Sequence, residues 1–338
     1  MMNKKENWLR TVHNDNPEWI PQPWEPFVGT FPGTQFLFDP ISASLRPKIR
    51  LNVPFHDAWG IEWLLQEGSP AATPLHNDHN KVIKDITCWR EFVRFPELDG
   101  HDWSGCKAIA ASVNRNENMI MPMVFAGLFE LSHNLMGFED ALCNYMLEPE
   151  AMSDLLSHIA DWKIGQLERI LENMRPEVIH YHDDWGSKSQ LFLDPEVWRA
   201  IIGPQQKRIV ECVKSYGAIF MHHSDSICEP IVEDMAELGI DIWQGAIPQN
   251  DIVAIQKKLG GRMAIMGGID AQVIDRPDYT EEVVRNEVRR CIDTYWPQGH
   301  FIPCIPNLNA IYPEVERIYL DEIKVYGAER MNKQRERA

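Results

Sequence analysis

Short apolar runs alternate with longer amphipathic stretches from about residue 107 to the end of the chain. We predict strands at residues 108–113, 119–125, 178–182, 218–223, 240–243, 262–267 and 300–304. The stretches between them repeat apolar residues at helical spacing, as in 197–216, where Asp194-Pro195 provides a helix start. Strand and helix in repeated alternation predict an α/β protein with a mainly parallel sheet.

Two architectures fit this alternation, a closed eight-stranded barrel and an open doubly wound sheet. The predicted strands start about 20 to 40 residues apart, which suits βα units that carry insertions. No Gly-x-Gly-x-x-Gly and no phosphate-binding loop follows a predicted strand, so nucleotide binding has little support. We therefore predict a single (β/α)8 TIM-type barrel that spans residues 1–338 as one domain.

The N-terminal residues differ from the rest of the chain. Residues 11–45 are rich in proline and aromatic side chains and contain neither lysine nor arginine. Because proline interrupts regular elements, we predict that residues 1–60 form an irregular arm that covers the barrel. Residues 60–87 are predicted to be loop, with a short helical patch near 61–66.

The chain is acidic, with 33 Lys and Arg against 50 Asp and Glu, a formal net charge of −17 and a pI of about 5.1. No basic stripe with interleaved aromatics occurs, so we expect neither nucleic-acid binding nor attachment to anionic membranes. No apolar run is long enough to span a bilayer, and residues 1–10 lack the apolar region of a signal peptide. The seven cysteines form no Cys-x-x-Cys pair. We expect a cytoplasmic protein with reduced thiols.

Polar and aromatic side chains follow the predicted strands directly. These strand-end residues are His182, Asp183, Asp184, Trp185, His223, Asp225, Gln244, Asp270 and Cys304. In barrel enzymes the carboxyl ends of the strands carry the chemistry, so we expect these side chains to face one another around one rim. Trp185, Gln244 and Asp270 are predicted to bind the substrate.

Three of these residues have the chemistry of zinc ligands. His223, Asp225 and Cys304 would supply an imidazole nitrogen, a carboxylate oxygen and a thiolate, and catalytic zinc keeps three protein ligands and one open position. Ligands two residues apart just after a strand can reach one centre, and the third can come from another strand. The alternatives are that Cys304 is a buried structural thiol and that Cys228 is the ligand instead.

Asp183 and Asp184 have two interpretations that the sequence leaves open. In the structural one, they cap a helix or form hydrogen bonds across the mouth of the barrel. In the functional one, a carboxyl whose pKa is raised by burial acts as an acid or grips a polar group of the substrate. We predict Asp183, Asp184 and His182 as catalytic residues.

Six stretches of the sequence occur in an order that is typical of one superfamily. They are Met136-Gly137-Phe138-Glu139, Asp183-Asp184-Trp185-Gly186, His223-Ser224-Asp225-Ser226, Glu237-Leu238-Gly239-Ile240-Asp241, Met266-Gly267-Gly268-Ile269-Asp270 and Phe301-Ile302-Pro303-Cys304. In this order the chain resembles the uroporphyrinogen decarboxylase superfamily, which includes porphyrinogen decarboxylases and zinc- and corrinoid-dependent methyltransferases. The resemblance implies a single (β/α)8 barrel with its site at the carboxyl ends of the strands.

The resemblance also separates two branches of the superfamily. The decarboxylases grip a many-carboxylate substrate with an arginine-rich segment near the N-terminus, and residues 11–45 contain neither arginine nor lysine. The methyltransferases commonly have a His-x-Cys pair and a later Cys that all bind zinc. This chain has His223 and Cys304, but Asp225 occupies the position of the middle cysteine. A carboxylate ligand makes zinc harder and better suited to an ether or alcohol oxygen.

The resemblance therefore implies a zinc-dependent methyltransferase that acts in the direction of O-demethylation. The methyl group of a small methoxylated, plausibly aromatic, substrate would pass to the Co(I) corrinoid (cobalamin) of a separate partner protein that docks at the barrel mouth. Two alternatives stay open: a metal-independent decarboxylase of a porphyrinogen-like or other small carboxylated substrate, and a non-catalytic barrel that binds a tetrapyrrole or corrinoid partner. A homodimer is also compatible with the sequence.

Overall fold

The computed structural model describes residues 2–28, 38–45, 49–69 and 71–336. The α-helices are α1 (Lys4–His13), α2 (Pro40–Leu45), α3 (Ser104–Ser112), α4 (Leu128–Met136), α5 (Phe138–Leu147), α6 (Pro149–Met174), α7 (Pro195–Val197), α8 (Gly203–Ser215), α9 (Val232–Glu237), α10 (Ile252–Leu259), α11 (Ala271–Ile274), α12 (Glu281–Tyr295) and α13 (Pro313–Arg335). Short 3-10 helices cover Ile86–Glu91, Glu229–Ile231 and Trp296–Gln298, and the π-helical turn Trp198–Ile202 joins α7 to α8. Among these described helices, none combines the length and apolar character that crossing a lipid bilayer requires.

The strands form two sheets. They are β1 (Phe55–His56), β2 (Glu62–Leu64), β3 (Thr73–Pro74), β4 (Met123–Val124), β5 (Val178–His182), β6 (Ile219–His223), β7 (Ile242–Ala246), β8 (Ala264–Gly268) and β9 (Phe301–Cys304). Strands β4 to β9 form one parallel sheet, in which each strand lies beside its neighbour in the chain. A doubly wound sheet reverses its strand order at a switch point, and this sheet does not. The predicted α/β class is confirmed, and the consecutive order favours the barrel.

The two faces of this sheet are covered differently. Alternate strand residues point to opposite faces, and one set packs into a shared interior. The interior residues are Met119, Met121, Met123, Val178, Met221, Ile242, Ala264, Met266, Ile302 and Cys304. The intervening residues, among them Ile179, Phe220 and Ile265, pack in a separate cluster that includes the helices. A sheet whose inner side chains fill its own interior, with helices outside, is the arrangement of a barrel.

The N-terminal residues contact both edges of the parallel sheet. Just before β4, the Val28 N–H donates to the Met119 carbonyl at 3.1 Å, and Phe27 pairs with Met119 in a parallel bridge. At the other edge, the His300 ring donates from Nδ1 to the Val12 carbonyl at 2.9 Å, and α1 packs against β9. Within the described ranges the parallel sheet has six strands rather than eight. The N-terminal segment contacts the strands at both of its edges.

Three elements differ from the prediction. Residues 108–113, predicted as a strand, belong to helix α3. Cys106, Ile109 and Ala110 pack against the core at helical spacing, and alanine is the strongest helix former. The predicted helical patch at 61–66 is instead strand β2, which pairs antiparallel with β1 and β3. Helices α1 and α2 occur where an irregular arm was expected.

Candidate active site

Two imidazoles and a carboxylate come together where β5 and β6 end. Ligand atoms of His182, Asp184 and His223 all lie within 4.8 Å of one another. His182 and His223 are partners in the parallel register, which brings their ring centroids to 4.3 Å. Asp184 follows β5, and its Oδ1 lies 4.0 Å from His223 Nε2. The carboxyl ends of two neighbouring strands thus form a compact group of nitrogen and oxygen donors, called the triad below.

Each imidazole of the triad is held through its Nδ1 atom. His182 Nδ1 donates to Glu130 Oε2 at 3.0 Å, and His223 Nδ1 donates to Gln244 Oε1. Metal-binding histidines usually donate their other ring N–H to an oxygen acceptor in this way. Glu130 was missed in the sequence, because it lies in the first turn of α4 rather than at a strand end. Extending the strand-end rule past β4 to the following helix would have found it.

The two imidazoles have opposite charge preferences. Burial and the neighbouring His182 lower the pKa of His223 to about 4, although the Asp184 carboxylate acts to raise it. This ring is therefore neutral at pH 7. Burial also lowers the pKa of His182, but Glu130 and Asp184 outweigh the burial and raise it to about 9. A cationic imidazole surrounded by carboxylates marks a position that favours positive charge. Metal binding at such a position releases the proton.

Asp225 lies beside the triad. Its backbone N–H donates to Asp184 Oδ1 at 3.0 Å. Burial and the Asp184 carboxylate raise the pKa of Asp225 to about 7, while His182 and Lys188 act to lower it. In the described part of the chain, its carboxyl is not among the ligand atoms gathered within 4.8 Å.

Cys304 is buried beside Gln244. The thiol is fully buried, which raises its pKa well above the ordinary value, and it hydrogen bonds to the Gln244 amide. Gln244 Oε1 also binds His223 Nδ1, so the same amide contacts both the thiol and the ring. The metal ligands predicted from the sequence were His223, Asp225 and Cys304. The group that the described residues bring together shares only His223 with them.

Asp183 anchors helix α4. Its carboxylate accepts the backbone N–H groups of Phe129 at 3.1 Å and Glu130 at 2.9 Å, and the Trp185 indole N–H at 2.9 Å. The side chain is fully buried. Burial and the Glu130 charge raise the pKa of Asp183 to about 7, although the three donors oppose this shift. This geometry fits the structural interpretation of Asp183 rather than the catalytic one, because the carboxylate is enclosed and holds Glu130 in place.

The three residues predicted to bind substrate have different surroundings. Trp185 is 2% exposed and stacks on His222, with ring centroids 3.9 Å apart, in the cluster that faces the helices. Gln244 is fully buried, with its side chain bonded on both ends. Asp270 caps α11 by accepting the Gln272 N–H at 2.9 Å. Trp185 and Gln244 therefore present no surface to a substrate, and Asp270 lies in the loop after β8.

An aromatic surface borders the triad. The Phe125 ring, just after β4, lies 5.2 Å from the His182 ring, and Phe38 stacks on Phe125 at 5.7 Å. Both phenyl rings are partly exposed. Sites for small molecules generally combine such apolar walls with a few polar groups.

A consecutive parallel sheet with an ionisable group at the carboxyl ends of its strands defines an α/β enzyme of the barrel type. The sequence profile of uroporphyrinogen decarboxylase (URO-D) matches residues 105–304, which is more than half of the chain. The chain therefore belongs to the uroporphyrinogen decarboxylase family. The resemblance inferred from the sequence motifs is confirmed at the level of the family.

Individual relatives are distant. The uroporphyrinogen decarboxylase of Prochlorococcus marinus (strain MIT 9215) is 26% identical over 174 residues, which cover 48% of this chain and 47% of the relative. That of strain AS9601 is 28% identical over 134 residues, 38% of this chain and 35% of the relative. The chain thus matches half or less of the length of these curated relatives. A methyltransferase from Methanosarcina mazei has a TM-score of 0.65 over 96% of this chain and 98% of its own, at 14% identity, which is a likeness of fold.

Proposed function

We propose that the protein is a zinc-dependent methyltransferase. It removes the methyl group of a small methoxylated aromatic compound and passes it to the Co(I) corrinoid of a separate protein. The observation that carries this proposal is the convergence of His182, Asp184 and His223 at the strand ends, with an aromatic surface beside them. The fold shared with the Methanosarcina mazei methyltransferase is compatible with it.

The triad fits a divalent metal ion. Two imidazole nitrogens and one carboxylate oxygen are a known ligand set of catalytic zinc. Ligands at about 2.0 to 2.1 Å from a tetrahedral ion lie about 3.3 Å apart, so a spread of up to 4.8 Å requires the side chains to close by no more than about 1.5 Å. The same set also suits iron(II), so metal analysis of the purified protein decides between the two ions.

The residues around the proposed zinc ion have separate roles in binding the substrate and transferring a proton. A zinc ion bound by the triad would supply Lewis acidity toward the oxygen of a methoxy group, and nitrogen and oxygen ligands keep such an ion hard. Phe125 and Phe38 would hold the aromatic ring of the substrate against His182. Asp225 would donate a proton to the oxygen that loses the methyl group, because Asp183 is enclosed beside α4 and Asp184 belongs to the triad.

Decarboxylation of a carboxylated substrate is the second candidate, favoured by the names of the curated relatives. The charged groups that act on Asp225 are Asp184, Glu130, His182 and Lys188, of which two are carboxylates. None of these groups is an arginine, and Arg forks are how a substrate with several carboxylates is held. We therefore favour methyl transfer.

An anaerobic assay tests the proposal. Zinc-loaded protein is mixed with methoxylated arenes and a Co(I) corrinoid protein, and the cobalt absorbance is followed while the phenol product is quantified. We expect stoichiometric loss of the Co(I) spectrum and release of the matching phenol. Asp184→Ala should abolish both zinc binding and turnover, whereas the matched thiol variant Cys304→Ser should keep both. Metal-free protein that releases CO2 from a carboxylated substrate at full rate would contradict the proposal and select the decarboxylase.

A further inference from the structure

Gln244 connects four groups in the interior below the triad. It bonds to His180, His223, the Pro306 carbonyl and the Cys304 thiol. We propose that Gln244 is a positioning residue that fixes His223 as the Nδ1–H tautomer and thereby directs the unprotonated Nε2 toward the metal position. The inference rests on the metal site of the proposed function and assigns Gln244 a role other than substrate binding.

The Pro306 carbonyl sets the orientation of the amide. A carbonyl oxygen can only accept, and Gln244 Nε2 donates to it at 3.2 Å. Oε1 must therefore face the two imidazoles, where it lies 3.1 Å from His180 Nε2 and bonds to His223 Nδ1. Because this oxygen can only accept, both ring nitrogens must carry a proton. A neutral imidazole has a single N–H, so Nε2 of His223 is left as the ligand atom.

The backbone of β7 keeps the amide in place. The Ser224 N–H donates to the Gln244 carbonyl at 3.1 Å, in register with His223. The strand is irregular directly after Gln244, where Gly245 has a φ of 96°. A Cβ on Gly245 would lie 2.9 Å from the Ser224 carbonyl oxygen, so glycine is required there. Bulges of this kind redirect a side chain next to an active site.

The chemistry of the anchor distinguishes the two imidazoles of the triad. His182 is anchored by a carboxylate, Glu130, whereas His223 is anchored by a neutral amide. A fully buried carboxylate in place of Gln244 would add a second negative charge without a partner cation of its own. The amide supplies the acceptor oxygen alone. Its role is therefore orientation, and the oxygen rather than a charge is what a substitution must preserve.

Two measurements test the role on the same variants. In metal-free protein with ¹⁵N-labelled histidine, we expect the His223 ring to be the Nδ1–H tautomer, with its resonances identified by their loss in His223→Asn. Gln244→Met, which removes the acceptor at similar volume, should shift this ring toward Nε2–H. In chelator competition it should weaken zinc binding about 10- to 100-fold.

Gln256→Met is the matched control. Gln256 is also a buried amide, and it donates to the Tyr295 and Gly299 carbonyls, away from the triad. The Gln256→Met variant should change neither the tautomer of His223 nor the affinity for zinc. An Nε2–H tautomer of His223 in the wild type overturns the inference, and so does a folded Gln244→Met protein that binds zinc as tightly as the wild type. A wild type that binds no metal refutes the proposed function, while the tautomer in metal-free protein still decides the role of Gln244.

Discussion

Gly127→Ala tests whether helix α4 holds Glu130 in position for His182. A Cβ on Gly127 would lie 2.3 Å from the Cβ of Asp183 and 2.7 Å from its Oδ2. Gly127 has a φ of −67°, which alanine adopts readily, so the cost of the substitution is the steric clash. Carbon atoms pack at about 3.5 to 4.0 Å, so the first turn of α4 must move away from the end of β5 by about 1 Å.

The size of the effect follows from the bonds that this movement breaks. The Phe129 and Glu130 N–H groups donate to Asp183 at 3.1 and 2.9 Å, and an added 1 Å, roughly, takes both beyond hydrogen-bonding distance. Each hydrogen bond to a charged group contributes about 1.5 to 3 kcal/mol, overpacking costs about 1 to 3 kcal/mol, and alanine returns about 0.4 to 1 kcal/mol through the unfolded state. With partial relaxation, we expect a net loss of about 3 to 5 kcal/mol. At about 2.1 cal/mol/K per residue, this lowers the Tm by roughly 4 to 7 °C.

Calorimetry and zinc titration together measure how the position of α4 affects both stability and zinc binding. Gly127→Ala should also weaken zinc binding by more than about tenfold, because Glu130 moves away from His182. The matched control is Gly165→Ala in α6, whose Cβ would lie 2.7 Å from the end of the flexible Leu98 side chain and 3.5 Å from the Arg169 side chain. This control should change stability by no more than about 1 kcal/mol and leave zinc affinity unchanged.

A Gly127→Ala protein with the Tm of the wild type would refute the clash. A protein that loses the expected stability but keeps wild-type zinc affinity would refute the claim that α4 supports the triad through Glu130.

Three further predictions concern residues around the triad. Glu130→Gln keeps an oxygen for His182 but removes the charge. The pKa of His182 should therefore fall below about 9, and zinc should bind about tenfold more weakly. An unchanged NMR titration of His182 would contradict this prediction. Burial and His76 lower the pKa of His133 to about 4, so its stabilising contribution is complete above the unfolded value of 6.5 and is lost as the pH falls toward 4. Urea unfolding should show this loss as up to about 3 kcal/mol, absent in His133→Phe, and equal pH profiles would rule it out. Phe125→Ala should raise KM for a methoxylated arene about tenfold, with a smaller change in kcat. Steady-state kinetics that show a lower kcat and an unchanged KM would argue against a role of Phe125 in substrate binding.

The fold could be predicted from the sequence where an apolar run is buried in the sheet. The predicted strands 178–182 and 300–304 match β5 and β9 almost residue for residue, because their side chains are buried on both faces. Residues 108–113 failed because a short apolar run does not distinguish a strand from one face of a helix. The helix is stabilised here by the packing of Cys106 and Ile109 against the core, which is a tertiary interaction.

The strand-end rule identifies candidate site residues but not the orientation of their rings. It selected His182, Asp184 and His223, all of which belong to the triad. It could not show which nitrogen of His223 faces which neighbour. The Nδ1 side of the ring is taken by Gln244, whose amide also contacts Cys304.

X-ray absorption at the zinc edge of the metal-loaded wild type tests the central claim most directly, because it measures the atoms bound to the ion. Zinc held by two imidazoles and a carboxylate should show a first shell of nitrogen and oxygen alone at about 2.0 to 2.1 Å. A sulfur neighbour at about 2.3 Å would contradict the account, since it would mean that a thiol such as Cys304 binds the metal.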